Sequence, residues 1–354
     1  MASNPQQGIV PLTVVGFDFR VAGAQWRSRL VSRLDDDDAL GRQLMNAGLA
    51  QGLAVLQTCN RNEWIASAER PEWCGEILRA QLIRRLKEKS PETKVPAPYV
   101  LCGEEAARHV LRMSAGLESF VVGERQIAGQ LSCALGVALK QQRSDAILKG
   151  LASFAGRAAR EAARFPVGDP GLRGVHDLAI RYLTQMHDAQ SPWQVLVLGY
   201  GDIGRRVVDG IRARTVWQVK VVNRSLRPSA KEELRPLSTL PELLAESDAL
   251  IIASGAPAPL FGPEHVVPRS PERPLVVVDI GIPIQSVAET EQLPHVRRLD
   301  LDGLQAAVKG GERDTPAFAA LDAALGELLA EFVRFCRERE VVTILRTTQS
   351  MHEE

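Results

Sequence analysis

Apolar and polar positions alternate along this chain with two periods. Over residues 9–17, apolar and small residues alternate and predict a first strand; 24–34 has helical spacing, with Trp26 and Leu30 on one face. The aspartate run 35–38 reads as a solvated turn that also caps a helix over 40–49, where acidic side chains meet the positive end of the helix dipole. A metal site of four adjacent aspartates is the weaker alternative. The apolar run 53–56 predicts a short buried strand that breaks abruptly into Gln57-Thr58-Cys59-Asn60-Arg61, and 65–68 suits a neighbouring strand. Then come an amphipathic helix over 73–87, a loop over 91–98, a short strand over 99–101 and a helix over 104–114 that contains His109. Residues 140–164 read as one long helix carrying Lys140, Arg143, Lys149, Arg157, Arg160 and Arg164 against only Asp145 and Glu161. Such a face is usually solvated, and it is also the best candidate here for a contact with a phosphate backbone.

The Pro- and Gly-rich stretch 166–174 marks a domain boundary, and a helix over 175–186 leads into the next domain. From there the pattern becomes strand–helix alternation, with strands over 193–198, 219–222, 249–253, 275–279 and 296–299, which predicts a parallel sheet. The last segment, 314–346, reads as one long helix with too little of its own domain to pack on, so it is expected to lie along other domains or against a second copy of the chain. The predicted fold class is α/β: an N-terminal α+β catalytic domain (1–165), a Rossmann-type NADP-binding domain (171–310) and a long C-terminal helix (311–354).

Composition narrows the class without choosing a function. The 354 residues are 45% hydrophobic and 24% charged, with formal net charge +0, so any nucleic-acid contact must use a local patch. The five cysteines are scattered, with no CxxC pair or Cys/His ligand spacing, which points to reduced thiols in a cytoplasm and to no metal site. No apolar stretch reaches the roughly 20 residues that span a bilayer, so no membrane partner is expected.

Two stretches carry chemistry. Cys59 falls just past a strand end, where catalytic groups often sit, and Arg61 would favour its thiolate; an inert structural cysteine is the bland alternative. In the second, the strand over 193–198 runs straight into Gly199-Tyr200-Gly201-Asp202-Ile203-Gly204 and a helix through Arg214, which is the dinucleotide-binding pattern in its confirming context. The next strand ends in Asn223-Arg224-Ser225, not in the acid that would bind a ribose 2′-hydroxyl, so the loop suits the 2′-phosphate of NADP. Between these stretches, residues 116–130 hold Ser119, Glu124, Gln126 and Gln130 closely spaced, and Gln126 and Gln130 are one helical turn apart. They are suited to a small polar ligand, with a plain turn and helix as the alternative. A lone helical histidine such as His109 is more often structural than catalytic.

The order of these features resembles the glutamyl-tRNA reductase family. The resemblance rests on Thr58-Cys59-Asn60-Arg61, on the signature from His109 through Gly116-Leu117-Glu118-Ser119 to Gly123-Glu124-Arg125-Gln126-Ile127 and Gly129-Gln130, on the glycine loop, on Asn223-Arg224-Ser225 and on Val278-Asp279-Ile280 with Pro283. It implies NADPH-dependent reduction of the glutamyl ester of tRNA(Glu) to glutamate-1-semialdehyde, the first step toward tetrapyrroles. It implies Cys59 as the nucleophile that forms a thioester, His109 as an assisting acid or base, and Thr58, Asn60, Arg61, Ser119, Glu124, Gln126 and Gln130 around the substrate. Gly199, Gly201, Asp202, Ile203, Gly204, Asn223, Arg224 and Ser225 would bind the cofactor. A homodimer and an aminomutase that takes the aldehyde are further implied partners. Two alternatives stay open: a paralogue with the same thioester chemistry on another acyl carrier, and a non-catalytic regulatory homologue. The chain departs from the family pattern at Phe17-Asp18-Phe19, at Ser28 in place of a usual Glu, and at Ile284-Gln285 in place of a usual Arg-Asp; members also typically continue well past the position of Glu354, which suggests a shortened dimerisation helix.

Overall fold

The computed structural model describes residues 10–29, 34–89, 94–187, 191–226, 232–308 and 313–353. The chain runs β1 (Leu12–Asp18), α1 (Ala24–Arg29), α2 (Leu34–Asn46), β2 (Gly52–Gln57), β3 (Arg61–Ser67), α3 (Pro71–Lys89) and β4 (Tyr99–Cys102). It continues through α4 (Gly103–Ser114), α5 (Gln126–Lys140), α6 (Ala146–Ala162), α7 (Val175–Met186), β5 (Gln194–Leu198), α8 (Asp202–Arg214), β6 (Gln218–Val222) and β7 (Leu234–Arg235). Last come α9 (Leu240–Glu246), β8 (Ala249–Ile252), β9 (Leu275–Asp279), β10 (Val296–Leu299), α10 (Leu301–Ala307) and α11 (Pro316–Glu353). These elements form two compact units, one of Met1–Val21, Leu30–Gly168 and Glu312–Glu354, the other of Ala22–Arg29 and Asp169–Gly311. No described helix is long and apolar enough to cross a membrane.

The first unit is built on an antiparallel sheet in the order β2-β3-β1-β4. Every residue of β1 and β3 is buried, because helices pack against the sheet. Charged residues of β3 are therefore buried with the apolar ones, which sets up the site below. Three local expectations change. The aspartate run lies inside the first turns of α2 and not ahead of it, since acids complement the dipole there without a separate cap. Asp37 then pairs with Arg85 at 2.9 Å, and Asp38 with Arg42 and Arg143. The predicted helix over 140–164 is broken: Gln142 takes φ 57°, and the Asp145 side chain accepts from Leu148 N at 2.9 Å to cap a new helix, α6. Arg143 lies at this break, buried, donating to Leu53 O at 2.9 Å, so it leaves the basic face. Of that face, Arg157 pairs with Glu331 and Arg164 with Glu161. The long helix α11 lies along the N-terminal elements, the first of the two arrangements expected for it: Leu321, Leu325, Leu329 and Phe332 join the core formed with α4 and α6.

The second unit carries a six-stranded parallel sheet in the order β10-β9-β8-β5-β6-β7. Read from the other edge, this is the doubly wound order in which the chain reverses direction beside the first strand, and ligands bind at the carboxyl ends of the strands on either side of that point, here β5 and β8. The two-residue β7 was not expected, having neither the length nor the apolar run of a strand.

Phe332 is fully buried and stands edge-on to Phe154 at 5.4 Å between ring centroids. Phe332→Ala is expected to destabilise the first unit by about 3–5 kcal/mol, read as a lower denaturant midpoint for that unit with nucleotide binding by the second unit unchanged.

Candidate active site

Cys59 sits at the tip of the β2–β3 hairpin, whose last cross-strand pair is Gln57 with Asn62. The turn is held from within by Thr58, whose amide donates to Arg61 O at 2.8 Å and whose hydroxyl accepts from Asn60 N at 3.2 Å and Arg61 N at 3.1 Å. That hydroxyl takes the place of a backbone acceptor, as threonine does in tight turns. Phe19 N fixes the outer side by donating to Asn60 O at 2.9 Å. Cys59 is half-buried at the apex. The structure thus brings together Thr58, Cys59, Asn60 and Arg61 as the sequence suggests.

Behind the turn is a carboxylate that sequence reasoning did not single out. Glu63 is fully buried, and its Oε1 accepts from Arg61 Nη1 at 2.8 Å, from His109 Nε2 at 2.9 Å and from the Tyr99 hydroxyl. Burial pushes the Glu63 carboxyl up, but His109 and Arg61 outweigh it and hold the group well below the usual carboxylate range. Burial and the Glu63 charge push Tyr99 the other way, so its hydroxyl keeps its proton and donates. An ionised carboxylate only accepts, which assigns a proton to His109 Nε2 and a defined ring orientation. Arg61 is fully buried, donating to Glu63 and, through Nη2, to Glu118 O at 2.5 Å. It faces inward as a hub of the turn, not outward as an open fork.

Glu118 joins a second charged group. Its carboxylate accepts from Arg112 Nε at 2.6 Å and Arg20 Nη1 at 2.8 Å, while Arg20 also bonds Asp18 and Arg112 bonds Asp322. Burial raises the Glu118 pKa, but the Arg112 hydrogen bond and the Arg20 charge bring it from 4.5 to about 2. An open pocket of about 330 Å³ lies against Arg20, Tyr99, Arg108, His109, Arg112 and Glu118. Arg108 is exposed at its rim and has no carboxylate partner among the described residues. Ser119 is buried in the next turn, and Glu124 is buried after it. Gln126 starts α5 with its Nε2 buried and without a hydrogen-bond partner among the described residues, while Gln130, one turn on, is exposed. Among the described residues, no hydrogen bond ties either glutamine to the Cys59 turn.

On the second unit the glycine loop leaves β5 at the point where the strand order reverses. Gly199 has φ 105°, and a Cβ there would stand 2.6 Å from Ala253 O, just past the end of β8; a Cβ on Gly204 would stand 2.1 Å from Gly199 O. The loop is therefore a backbone cradle that side chains would fill, and it opens α8 at its cap, Gly201, which fits a dinucleotide pyrophosphate. Asn223 Oδ1 accepts from Tyr200 N at 3.3 Å and its Nδ2 donates to Ser225 O at 2.8 Å, tying the end of β6 to the cradle. Arg224 and Ser225 are exposed there; Asp202 is exposed and pairs with Arg205, and Ile203 is half-buried. At the end of β9, Asp279 accepts from Gly281 N, Gln285 N, Ser286 N and the Ser286 hydroxyl at 2.7–3.0 Å, which shapes the following loop. Two of the departures from the family pattern meet in this loop, where Ser28 Oγ accepts from Ile284 N at 3.1 Å.

Residues 15–164 match the family described as the N-terminal domain of glutamyl-tRNA(Glu) reductase, and residues 181–307 match the family described as shikimate/quinate 5-dehydrogenase. The chain is 31% identical over 350 residues to a glutamyl-tRNA reductase of Thermus thermophilus, covering 95% of this chain and 84% of that one. It is 27% identical over 348 residues to the glutamyl-tRNA reductase of Rubrobacter xylanophilus, covering 95% and 80%. Among solved structures it is similar to the glutamyl-tRNA reductase of Methanopyrus kandleri, at 23% identity and TM-score 0.44 over 94% of this chain and 80% of that one.

The Glu118 ion pairs give a pH signature. A carboxyl lowered from 4.5 to about 2 contributes its stabilisation fully above pH 4.5 and loses it as pH falls toward 2. Between pH 7 and pH 3, denaturant unfolding should show wild type losing about 2 kcal/mol more than Glu118→Gln, an order-of-magnitude figure from the pKa difference.

Proposed function

The chain belongs to the glutamyl-tRNA reductase family, and we propose that it carries out the reaction for which those relatives are named: reduction of the glutamyl ester of tRNA(Glu) to glutamate-1-semialdehyde with NADPH, the first step toward tetrapyrroles. The observation that carries this reading is the Cys59 turn, a half-buried thiol on a hairpin tip whose Arg61 shares the buried Glu63 carboxylate with His109. Cys59 sulfur attacks the ester carbonyl; the C–S bond forms as the bond to the ribose oxygen breaks. The proton balances if the other ring nitrogen of His109, whose Nε2 is committed to Glu63, takes the proton that leaves the Cys59 thiol and passes it to the departing ribose oxygen. The product on the enzyme is a thioester, whose carbonyl carbon accepts hydride far more readily than that of an ester. When the thioester is reduced, the Cys59 sulfur is the leaving group and the thiolate is restored.

The glycine cradle at Gly199, Gly201 and Gly204 fits a nicotinamide dinucleotide, which supplies a hydride when bound. Arg224 and Ser225 suit a 2′-phosphate, and Asn223 keeps their segment beside the pyrophosphate end. A second reading keeps the same thioester chemistry on another acyl carrier. One observation favours it: the basic face expected to meet a phosphate backbone loses Arg143 to the core, and Arg157 and Arg164 to glutamates.

Two measurements check the proposal. Glutamyl-tRNA and NADPH should give glutamate-1-semialdehyde, with Cys59→Ser lowering the rate a thousandfold or more, roughly the loss expected for an essential nucleophile; full activity in that variant would remove the thioester from the mechanism. Run beside it, a glutamyl thioester on a carrier protein separates the two carriers. Arg224→Asp should raise the half-saturating NADPH concentration by about tenfold or more while changing that for NADH little, and an equal effect on both would count against the 2′-phosphate assignment.

A further inference from the structure

The turn after α4 is held by two arginines from distant places in the sequence. Its consecutive carbonyls each accept from a guanidinium: Leu117 O from Arg313 Nη1 at 3.1 Å, Glu118 O from Arg61 Nη2 at 2.5 Å, and Ser119 O from Arg313 Nη2 at 2.9 Å. Arg61 belongs to the Cys59 turn, so the two turns are joined by one side chain. Arg313 lies nearly two hundred residues further along, where the chain has returned to the first unit at Glu312 and is about to begin α11. Its planar fork spans two carbonyls at once, which an ammonium would do with less defined geometry. Its charged neighbours are the guanidiniums of Arg20 and Arg112 and the carboxylates of Glu118 and Asp18. Both terminal amino groups of the fork are used on carbonyls of this turn, which adds to the turn's own backbone hydrogen bonds.

We propose that Arg313 is a positioning residue for acyl transfer, holding the Leu117–Ser119 turn so that Ser119 is kept in place for the glutamyl group on its way to Cys59. The proposal rests on the Cys59 acyl-transfer reading above. Arg313 Nη1 and Nη2 both bond this turn, so the residue bears on how the substrate is seated.

The test is transfer of labelled glutamate from glutamyl-tRNA to the full-length protein without NADPH, comparing wild type, Arg313→Ala and Arg313→Lys. The second-order rate should fall about tenfold in Arg313→Ala, the loss of two hydrogen bonds to a charged donor, and less in Arg313→Lys. Added guanidinium ion at low millimolar concentration should restore much of the rate in Arg313→Ala, while sodium at the same ionic strength should not, and NADPH affinity should stay unchanged. A merely structural role would not be rescued in this way. Wild-type acylation by Arg313→Ala, or a deficit that guanidinium leaves untouched, overturns the proposal. If Arg313→Ala does not fold, Arg313→Gln, which retains one amide donor, replaces it, and an unchanged rate in that variant overturns the proposal equally. A wild-type protein that accepts no glutamyl group overturns the underlying reading and this proposal with it, an outcome distinct from equal acylation of wild type and variant.

Discussion

One oxygen atom, Oε1 of Glu63, collects donors from two strands and a helix: Arg61 on β3, Tyr99 on β4 and His109 on α4. A carboxylate taken fully out of water is tolerable only with such partners, and removing one partner from a buried pair costs about 3–5 kcal/mol because the other charge is left uncompensated. The constraint runs both ways. The carboxylate keeps Arg61 charged and inward, Arg61 reaches on to Glu118 O, and Glu118 gathers Arg20 and Arg112. The histidine, the turn that carries the thiol and the turn that carries Ser119 are thus all fixed by one electrostatic network and not by three separate packing solutions.

That arrangement holds the Cys59 thiol in one defined place. Thr58 closes the hairpin without using a side chain that the chemistry needs, and Phe19 closes it from the outside. The second unit solves its own positioning problem differently. There, backbone shape does the holding: Gly199 and Gly204 leave no room for a Cβ, and the buried Asp279 shapes the loop after β9 through four hydrogen bonds. Charge organises the side that carries the Cys59 thiol, and close backbone approach organises the side suited to a nucleotide.

Much of this was readable in the sequence, and the part that was not has a common cause. The strand that breaks at Cys59 and the strand–glycine–helix passage at 193–214 are local patterns, set by period and by residues that neighbour one another, and both stand as expected. The parallel alternation of the second unit was legible for the same reason, except for β7, which is too short to leave a pattern. Glu63 was invisible because an acid in a strand normally faces water; only the pairing of β3 with β1 and β2, and the helices packed over them, bury it. Arg143 read as exposed because the helix over it seemed continuous, and the αL conformation of Gln142 has no glycine to announce it. Arg313 meets Leu117 and Ser119 across nearly two hundred residues, a partnership no local spacing encodes.

The helix α1 follows directly on the segment that carries Arg20, yet it packs within the nucleotide unit: Arg27 is fully buried against Asp302, Ala24 N donates to the same carboxylate at 2.5 Å, and Ser28 supports Ile284. The two units are therefore interleaved in the gene. No single cut yields two intact halves, since cleavage near residue 168 would leave the nucleotide sheet without its first helix and the catalytic sheet without its last. A chain woven in this way cannot trade its nucleotide module by simple end-to-end recombination, and changes to one module must be accommodated within the same reading frame that encodes the other.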